Sequence, residues 1–264
     1  MDALSLIYYS PTGTTQKIVR EIGKNIGLNL ISENNIAPNK IGSIAPISNN
    51  CLTIIGLPVY SGRLPITVIE TLKKLQSNQS PVVIVVVYGN RAYDDSLLEL
   101  KDIVSNCGFK IVAAGAFIGE HSYSINEKPI AKNRPDKQDL EKCRDFAGMI
   151  IEKLRDIQDI GTFQDIDIPG NYPYKDHKQF PATIYPDTDN NLCTLCGICA
   201  DSCPTNAITI KDTVITNGEL CTVCCACVKN CPEAARSLDN VVVNATRDKL
   251  FLNCSIRKEP IYFI

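Results

Sequence analysis

Leu4-Ser5-Leu6-Ile7-Tyr8-Tyr9-Ser10-Pro11-Thr12-Gly13-Thr14-Thr15 runs from an apolar, β-branched stretch through a hydroxyl-rich turn directly into a segment of helical periodicity, Thr15–Ile26. The pattern then repeats. Further strand-like runs occur at Leu28–Ser32, Cys51–Leu57, Val82–Tyr88 and Lys110–Ile118. Helical stretches lie between most of them, at Ile66–Leu75 and Asp95–Ser105, and Gln138–Ile157 follows the last. Strand and helix in alternation predict a doubly wound five-stranded parallel sheet covered on both faces, an α/β architecture. Gly27 after the first helix and Pro81 before the fourth strand are fitting punctuation. The crossover from Glu33 to Asn50 has little periodicity and reads as irregular or as a short helix.

A sheet of this kind places its ligand at the carboxyl ends of the strands, where strand order reverses. Ser10, Thr12, Gly13, Thr14 and Thr15 fall there. Four hydroxyls and free backbone N–H groups at a helix N-terminus receive a phosphate without needing a cation. The loop lacks the Gly-Lys-Ser/Thr ending of a Walker A motif and is not G-x-G-x-x-G, which argues against nucleoside triphosphates and dinucleotides. An ordinary capped helix would account for one or two of the hydroxyls, with Ser10 or Thr14 as cap. At the same sheet edge lie Pro58-Val59-Tyr60-Ser61-Gly62-Arg63 and Gly89-Asn90-Arg91-Ala92-Tyr93. Each brings a tyrosine whose face suits a flat conjugated ring.

The second signal is cysteine. The chain has 13, nine of them between Cys193 and Cys231. They read Cys193-x2-Cys196-x2-Cys199-x3-Cys203-Pro204 and, 28 residues on, Cys221-x2-Cys224-x2-Cys227-x3-Cys231-Pro232. Each half is the C-x2-C-x2-C-x3-C-P spacing of iron–sulfur proteins, in which the fourth cysteine ligates the other cluster. Cys193, Cys196, Cys199 and Cys231 are therefore assigned to one 4Fe–4S cluster, and Cys203, Cys221, Cys224 and Cys227 to the other. Zinc ribbons use two C-x2-C pairs per ion, and these triplets overfill that need. A disulfide scaffold would spread its cysteines through a small secreted chain. Cys225 is surplus and reads as a small buried thiol, as do Cys51, Cys107, Cys143 and Cys254.

Composition narrows the class further. With 264 residues, 44% hydrophobic and 21% charged, the chain is an ordinary globular one with room for two domains. The longest apolar run, Val82–Tyr88, is far short of the roughly 20 residues of a membrane span. No basic, apolar leader precedes Ser10, so a cytoplasmic location is expected. Net charge is −2 without blocks of like charge, which points away from nucleic acid and anionic membranes. Residues 1–159 hold 18 Lys+Arg against 17 Asp+Glu, whereas residues 187–236 hold three against six. Each oxidised cluster with its thiolates adds about two negatives, so the second module would steer towards a basic partner face.

Asp187 to about Arg236 resembles the two-cluster bacterial ferredoxins. Leu6-Ile7-Tyr8, Ser10, Gly13, Thr15 and Ile22 resemble the flavodoxin signature that holds the phosphate of FMN, with Val19 departing from the usual alanine. The whole chain is similar to the flavodoxin–ferredoxin fusions of anaerobes. The resemblance implies a flavodoxin-like domain over residues 1–159, a Pro-containing linker over 160–186, a small α+β ferredoxin domain over 187–236 and a tail over 237–264. It implies FMN held by Ser10, Thr12–Thr15, Pro58, Tyr60–Gly62, Gly89–Arg91 and Tyr93. Gly62 would let its peptide accept a hydrogen bond from reduced flavin N5.

The implied function is electron transfer between two 4Fe–4S clusters and FMN, with ferredoxins, reductases or dehydrogenases as partners. The alternatives are an FMN-dependent reductase of a small substrate and a redox sensor without flavin. For the reductase, His121, Glu120 and Arg63 are the acid–base candidates. His177 lies in the linker and receives no role. In the tail, Val241–Val243 and Leu250–Leu252 read as short β runs, and the apolar end Pro260–Ile264 is expected to dock on a neighbouring domain.

Overall fold

A seven-residue run as apolar as Val82–Tyr88 forms a stable strand only with both faces covered. The computed structural model, which describes residues 1–40, 44, 47–155 and 164–264, places it at the centre of such a sheet. In chain order come β1 (Ala3–Tyr8), α1 (Thr14–Ile26), β2 (Asn29–Asn35), β3 (Cys51–Pro58) and α2 (Ile66–Leu72). Then follow β4 (Pro81–Tyr88), α3 (Ser96–Asn106), β5 (Lys110–Ile118) and α4 (Lys137–Arg155). The ends expected for α4 at Ile157 and for the linker at 160 lie outside the described residues.

The sheet runs β10-β5-β4-β3-β1-β2, where β10 is Ile261–Phe263 near the chain's end. The first five strands are parallel, and β10 pairs antiparallel with β5, Tyr262 opposite Gly115. The order 2-1-3-4-5 is the flavodoxin-like doubly wound order, with its switch point between β1 and β3. Alternate side chains feed two cores. Ile7, Ile55, Ile84 and Val86 pack with α2 and α3, and Leu4, Leu6, Leu52, Ile54 and Val83 pack with α1 and α4. Val19 does not loosen α1 against the sheet, because its bulk fills room left at β3. A Cβ added at Gly56 would stand 2.2 Å from Val19 Cγ2.

From residue 164 the connector is an ordered strap. Ile166 and Ile168 are buried in the α2/α3 core. Asp95 accepts from Asn171 N and Nδ2 and from Lys175 N at 2.8–3.0 Å. Beyond it lie β6 (Asp187–Thr188), α5 (Ile198–Asp201), β7 (Ile208–Ile210), β8 (Val214–Thr216), α6 (Ala226–Lys229) and β9 (Arg236–Ser237). The 28-residue repeat is written into the backbone. Leu195 and Val223, Gly197 and Cys225, and Asn206 and Ala234 are pairs at positive φ, all between 50° and 84°. The halves embrace, β6 pairing with β9 and β7 with β8.

The tail corrects the β reading. Val241–Asn253 forms one helix, α7, capped by Asn240, whose Oδ1 accepts from Val242 N at 2.9 Å. α7 packs Val243 and Leu250 against Ile184, Val223 and Tyr123. The last residues dock as expected, as β10. No helix among the described residues is long and apolar enough to cross a membrane.

Candidate functional site

Two cavities lie within the small module, and cysteines wall both. One is lined by Cys193, Cys196, Cys199 and Cys231, the other by Cys203, Cys221, Cys224 and Cys227. The fourth cysteine of each run thus sits with the first three of its twin. Short loops at positive φ wrap both triplets, and α5 and α6 then turn the fourth cysteine away. All 13 cysteines are free thiols. Among the described residues no three His, Cys, Asp or Glu side chains converge on one point as a single metal ion requires. Four thiolates set around a space suit a cubane, whose irons each take one thiolate.

Burial pushes the Cys224 thiol up to about 12, partly offset by the Ala226 N–H. Burial also raises Cys199, Cys221 and Cys227, opposed in each case by the Arg236 guanidinium. Ligation of iron requires the thiolates, so loading such a site releases protons. Cys225 stands apart as the counterpart of Gly197, at φ 60° and 2% exposed, with its thiol bonded to Val223 O. Burial raises its pKa well above that of a free thiol.

A third cavity, about 660 Å³, lies where the small module meets the strand ends, within the size range of cofactor sites. Tyr60, Ser61, Gly62, Gly89 and Arg91 wall one side; Cys221, Thr222, Val223 and Cys224 wall the other. Ser61 (φ 54°) and Gly62 (φ 88°) form a tight two-residue turn closed by Tyr60 and Arg63, whose backbones exchange bonds of 2.9 and 3.1 Å. A Cβ at Gly62 would meet Asp94 Oδ2 at 2.1 Å. Asp94 in turn pairs with Arg91 and, at 2.7 Å, with Lys175.

Next to it a cavity of about 340 Å³ is lined by Thr12, Gly13 and Thr14, and Ser122 borders both spaces. Gly13 caps α1 at φ 82° without a side-chain cap bond, while Ser10 Oγ accepts from Gln16 N at 3.0 Å. Thr15 Oγ1 is buried without a partner. The loop is not free of cations, since Lys17, Arg134 and Lys229 also line the space. Lys229, from the small module, donates to Glu120 at 2.7 Å and to Ser124 O at 2.8 Å. These lysines and arginines were not legible, because only the tertiary fold brings them to the loop.

Other residues singled out in the sequence lie elsewhere. Asn90, 2% exposed, donates to Cys254 O and Ile256 O and accepts from Lys258 N, so its amide anchors the tail. Tyr93 packs on Tyr88, ring centroids 5.8 Å apart, and it is Tyr88 that borders the large cavity. Pro58 closes β3 without bordering either space among the described residues. Arg63 makes two bonds to Glu99, at 2.8 and 2.9 Å, and lies beneath the loop. Burial pushes Glu120 up, but the bond from Lys229, the Asn133 N–H and the lysine's charge together outweigh it and hold the carboxyl below the usual range. His121 does border the large cavity, its ring against Gly89 and its Nδ1 accepting from Tyr123 N at 3.0 Å. Burial, with Lys229 and Arg91 nearby, pushes it down to about 4, so it is neutral at pH 7.

Residues 186–209 match the family model described as a 4Fe-4S binding domain. A protein named "Probable ferredoxin" from Thermoplasma acidophilum is 55% identical over 29 residues, which are 11% of this chain. The chain spans 41% of the length of that curated relative. Among solved structures, a flavodoxin from the domain Archaea overlaps 58% of this chain and 99% of its own, at 13% identity and a TM-score of 0.40. Flavodoxin 1 from Bacillus cereus overlaps 57% and 98%, at 15% and 0.43. Rubredoxin oxygen:oxidoreductase from Desulfovibrio gigas overlaps 59% and 36%, at 17% and 0.41. The strand order, rather than these overlaps, defines the fold of the first module. One polypeptide thus joins an α/β domain of flavodoxin-like strand order to a cysteine-rich module whose residues 186–209 match a 4Fe-4S binding domain.

Proposed function

We propose that the chain is an electron carrier with FMN at the strand ends and two 4Fe–4S clusters in the cysteine-walled cavities. The observation that supports it most is the 660 Å³ cavity, bounded by Tyr60 and Gly89 on one side and by Cys221 and Cys224 on the other. A flat ring there would face the second quartet directly. The residues fit the phosphate: Thr12, Gly13 and Thr14 line a pocket that Lys17, Arg134 and Lys229 make cationic. Tyr60, Tyr88 and Tyr123 supply the aromatic walls.

FMN supplies one- and two-electron chemistry and the clusters one-electron steps. The residues do the rest. The Thr12–Thr14 loop, Lys17 and Lys229 hold the phosphate, the tyrosines exclude water, and the quartets fix the cluster sites. Domain boundaries follow the reading 1–159, 160–186, 187–236 and 237–264, with β10 of the last segment completing the first domain's sheet. Covalent fusion keeps one redox centre beside the other at high effective concentration. Partners are redox proteins.

A carrier is favoured over a reductase because the acid–base candidates are engaged: Arg63 with Glu99, Glu120 with Lys229, and His121 Nδ1 with Tyr123 N. The test is anaerobic purification with flavin and iron assays. One FMN and about eight irons per chain are expected; no flavin would leave the sensor reading. Stopped-flow reduction by ferredoxins, set against rapid turnover of a nicotinamide with a small substrate, separates carrier from enzyme.

A further inference from the structure

Arg236 opens β9 and occupies the place that Ile208 holds in the other half, 28 residues earlier. Packing there asks for an apolar side chain, and Ile208 supplies one at 8% exposure. Arg236 is 4% exposed at the equivalent place. Its donor contacts are two threonine hydroxyls, Thr188 at 2.5 Å and Thr216 at 2.9 Å, and the Cys227 sulfur at 3.6 Å. Among the described residues none goes to a carboxylate, and Nε is buried with no partner. A buried guanidinium without an anion is costly. Arg236 also lines both cysteine-walled cavities, bordering Cys199 and Cys231 on one side and Cys221 and Cys227 on the other.

We infer that Arg236 is the shared counter-charge of the two cluster sites, a positioning residue that raises both reduction potentials together. The inference rests on the proposed loading of both quartets. Cluster potentials follow local net charge and hydrogen bonds to sulfur. Each cluster gains one negative charge when it takes one electron, with no bond made or broken, and a fixed cation beside both favours the reduced form of each. The asymmetry of the repeat follows from geometry: one guanidinium that borders both cavities serves both sites.

The test is EPR-monitored redox titration of the full chain carrying Arg236→Met or Arg236→Lys, beside the wild type, with iron assayed in each. In Arg236→Met both clusters should become harder to reduce by about tenfold or more, which for one electron is about 59 mV. Arg236→Lys, which keeps the charge, should recover most of that shift. If Arg236→Met loses iron that Arg236→Lys retains, charge compensation is again supported. Unmoved potentials at full iron content would overturn the inference while leaving the two-cluster reading intact, as would a shift in one cluster alone. Equal loss of iron in both variants would reduce Arg236 to packing. A wild type with far fewer than eight irons would overturn the loading itself, and this inference with it.

Discussion

Lys229 Nζ stands 2.7 Å from Glu120 Oε1, and this contact ties α6 to the loop after β5. Both side chains are about a quarter exposed. The same lysine borders the Thr12–Thr14 pocket, so one cation faces that loop and the interface together. Lys229→Met should weaken FMN binding several-fold while leaving iron content unchanged, measured by flavin fluorescence quenching and iron assay. Glu120 is held below its ordinary range. Its contribution is therefore complete above the unfolded carboxylate value near 4.3 and is lost as pH falls through the lower folded one.

His121 gives the opposite group the same direction. Its folded pKa of about 4 lies below the unfolded 6.5, so as pH falls the unfolded chain takes up the proton first. Stability should be complete above about pH 6.5 and decline towards pH 4, by about 3 kcal/mol at most. His121→Asn preserves an acceptor for Tyr123 N and removes the titration. Its denaturation midpoint should vary less between pH 7.5 and 5 than that of the wild type.

Gly62→Ala should disturb the loop twice over, through φ 88° and through collision with Asp94. The Asp94 pairs with Arg91 and Lys175 must then shift. We expect weaker flavin binding, read by fluorescence titration, with a loss of about 1–2 kcal/mol in stability from the strained backbone.

Among the cysteines, Cys231→Ser should strip or convert the cluster of Cys193, Cys196 and Cys199, although Cys231 lies in the other run. Cys225→Ala should keep the full iron content, with a stability change under about 1.5 kcal/mol. Iron assay and EPR of the reduced proteins distinguish the pair. Loss of the second run's own cluster in Cys231→Ser would contradict the crossed assignment.

Tyr262 of β10 stacks on Phe146 at 4.9 Å, lies 5.6 Å from Phe117, and donates to Lys142 O at 2.8 Å. Tyr262→Ala should cost about 2–3 kcal/mol, since the ring is only partly buried. Thermal unfolding of the first domain's sheet reports it.

Four of the five parallel strands were legible because each is a short apolar run that few other arrangements bury; β2, exposed to half-buried at the sheet edge, runs on to Asn35, past the expected end at Ser32. The cysteine quartets were legible because their spacing repeats. The tail was misread for an identifiable reason. Val241–Val243 is β-branched, and local propensity suggested strand, but the Asn240 cap and burial of Val243 and Leu250 impose a helix. At the candidate site, Thr12, Gly13 and Thr14 border a cavity, whereas Ser10, Thr15, Asn90 and Tyr93 border neither of the two. Whether Asn90 turned to a ligand or to the tail depends on carbonyls 164 and 166 residues away. Lys229 and Arg236 carried no signal of their own beyond lying in the repeat.

The seating of Ile261–Phe263 on β5 has a consequence for biogenesis. During synthesis the flank of β5 emerges from the ribosome about 140 residues before the segment that covers it. Until then it presents unpaired backbone groups, an invitation to misassociation. The sheet is complete only after the cysteine-rich module has been made, so the synthesis of that module is a period of vulnerability for the domain translated first.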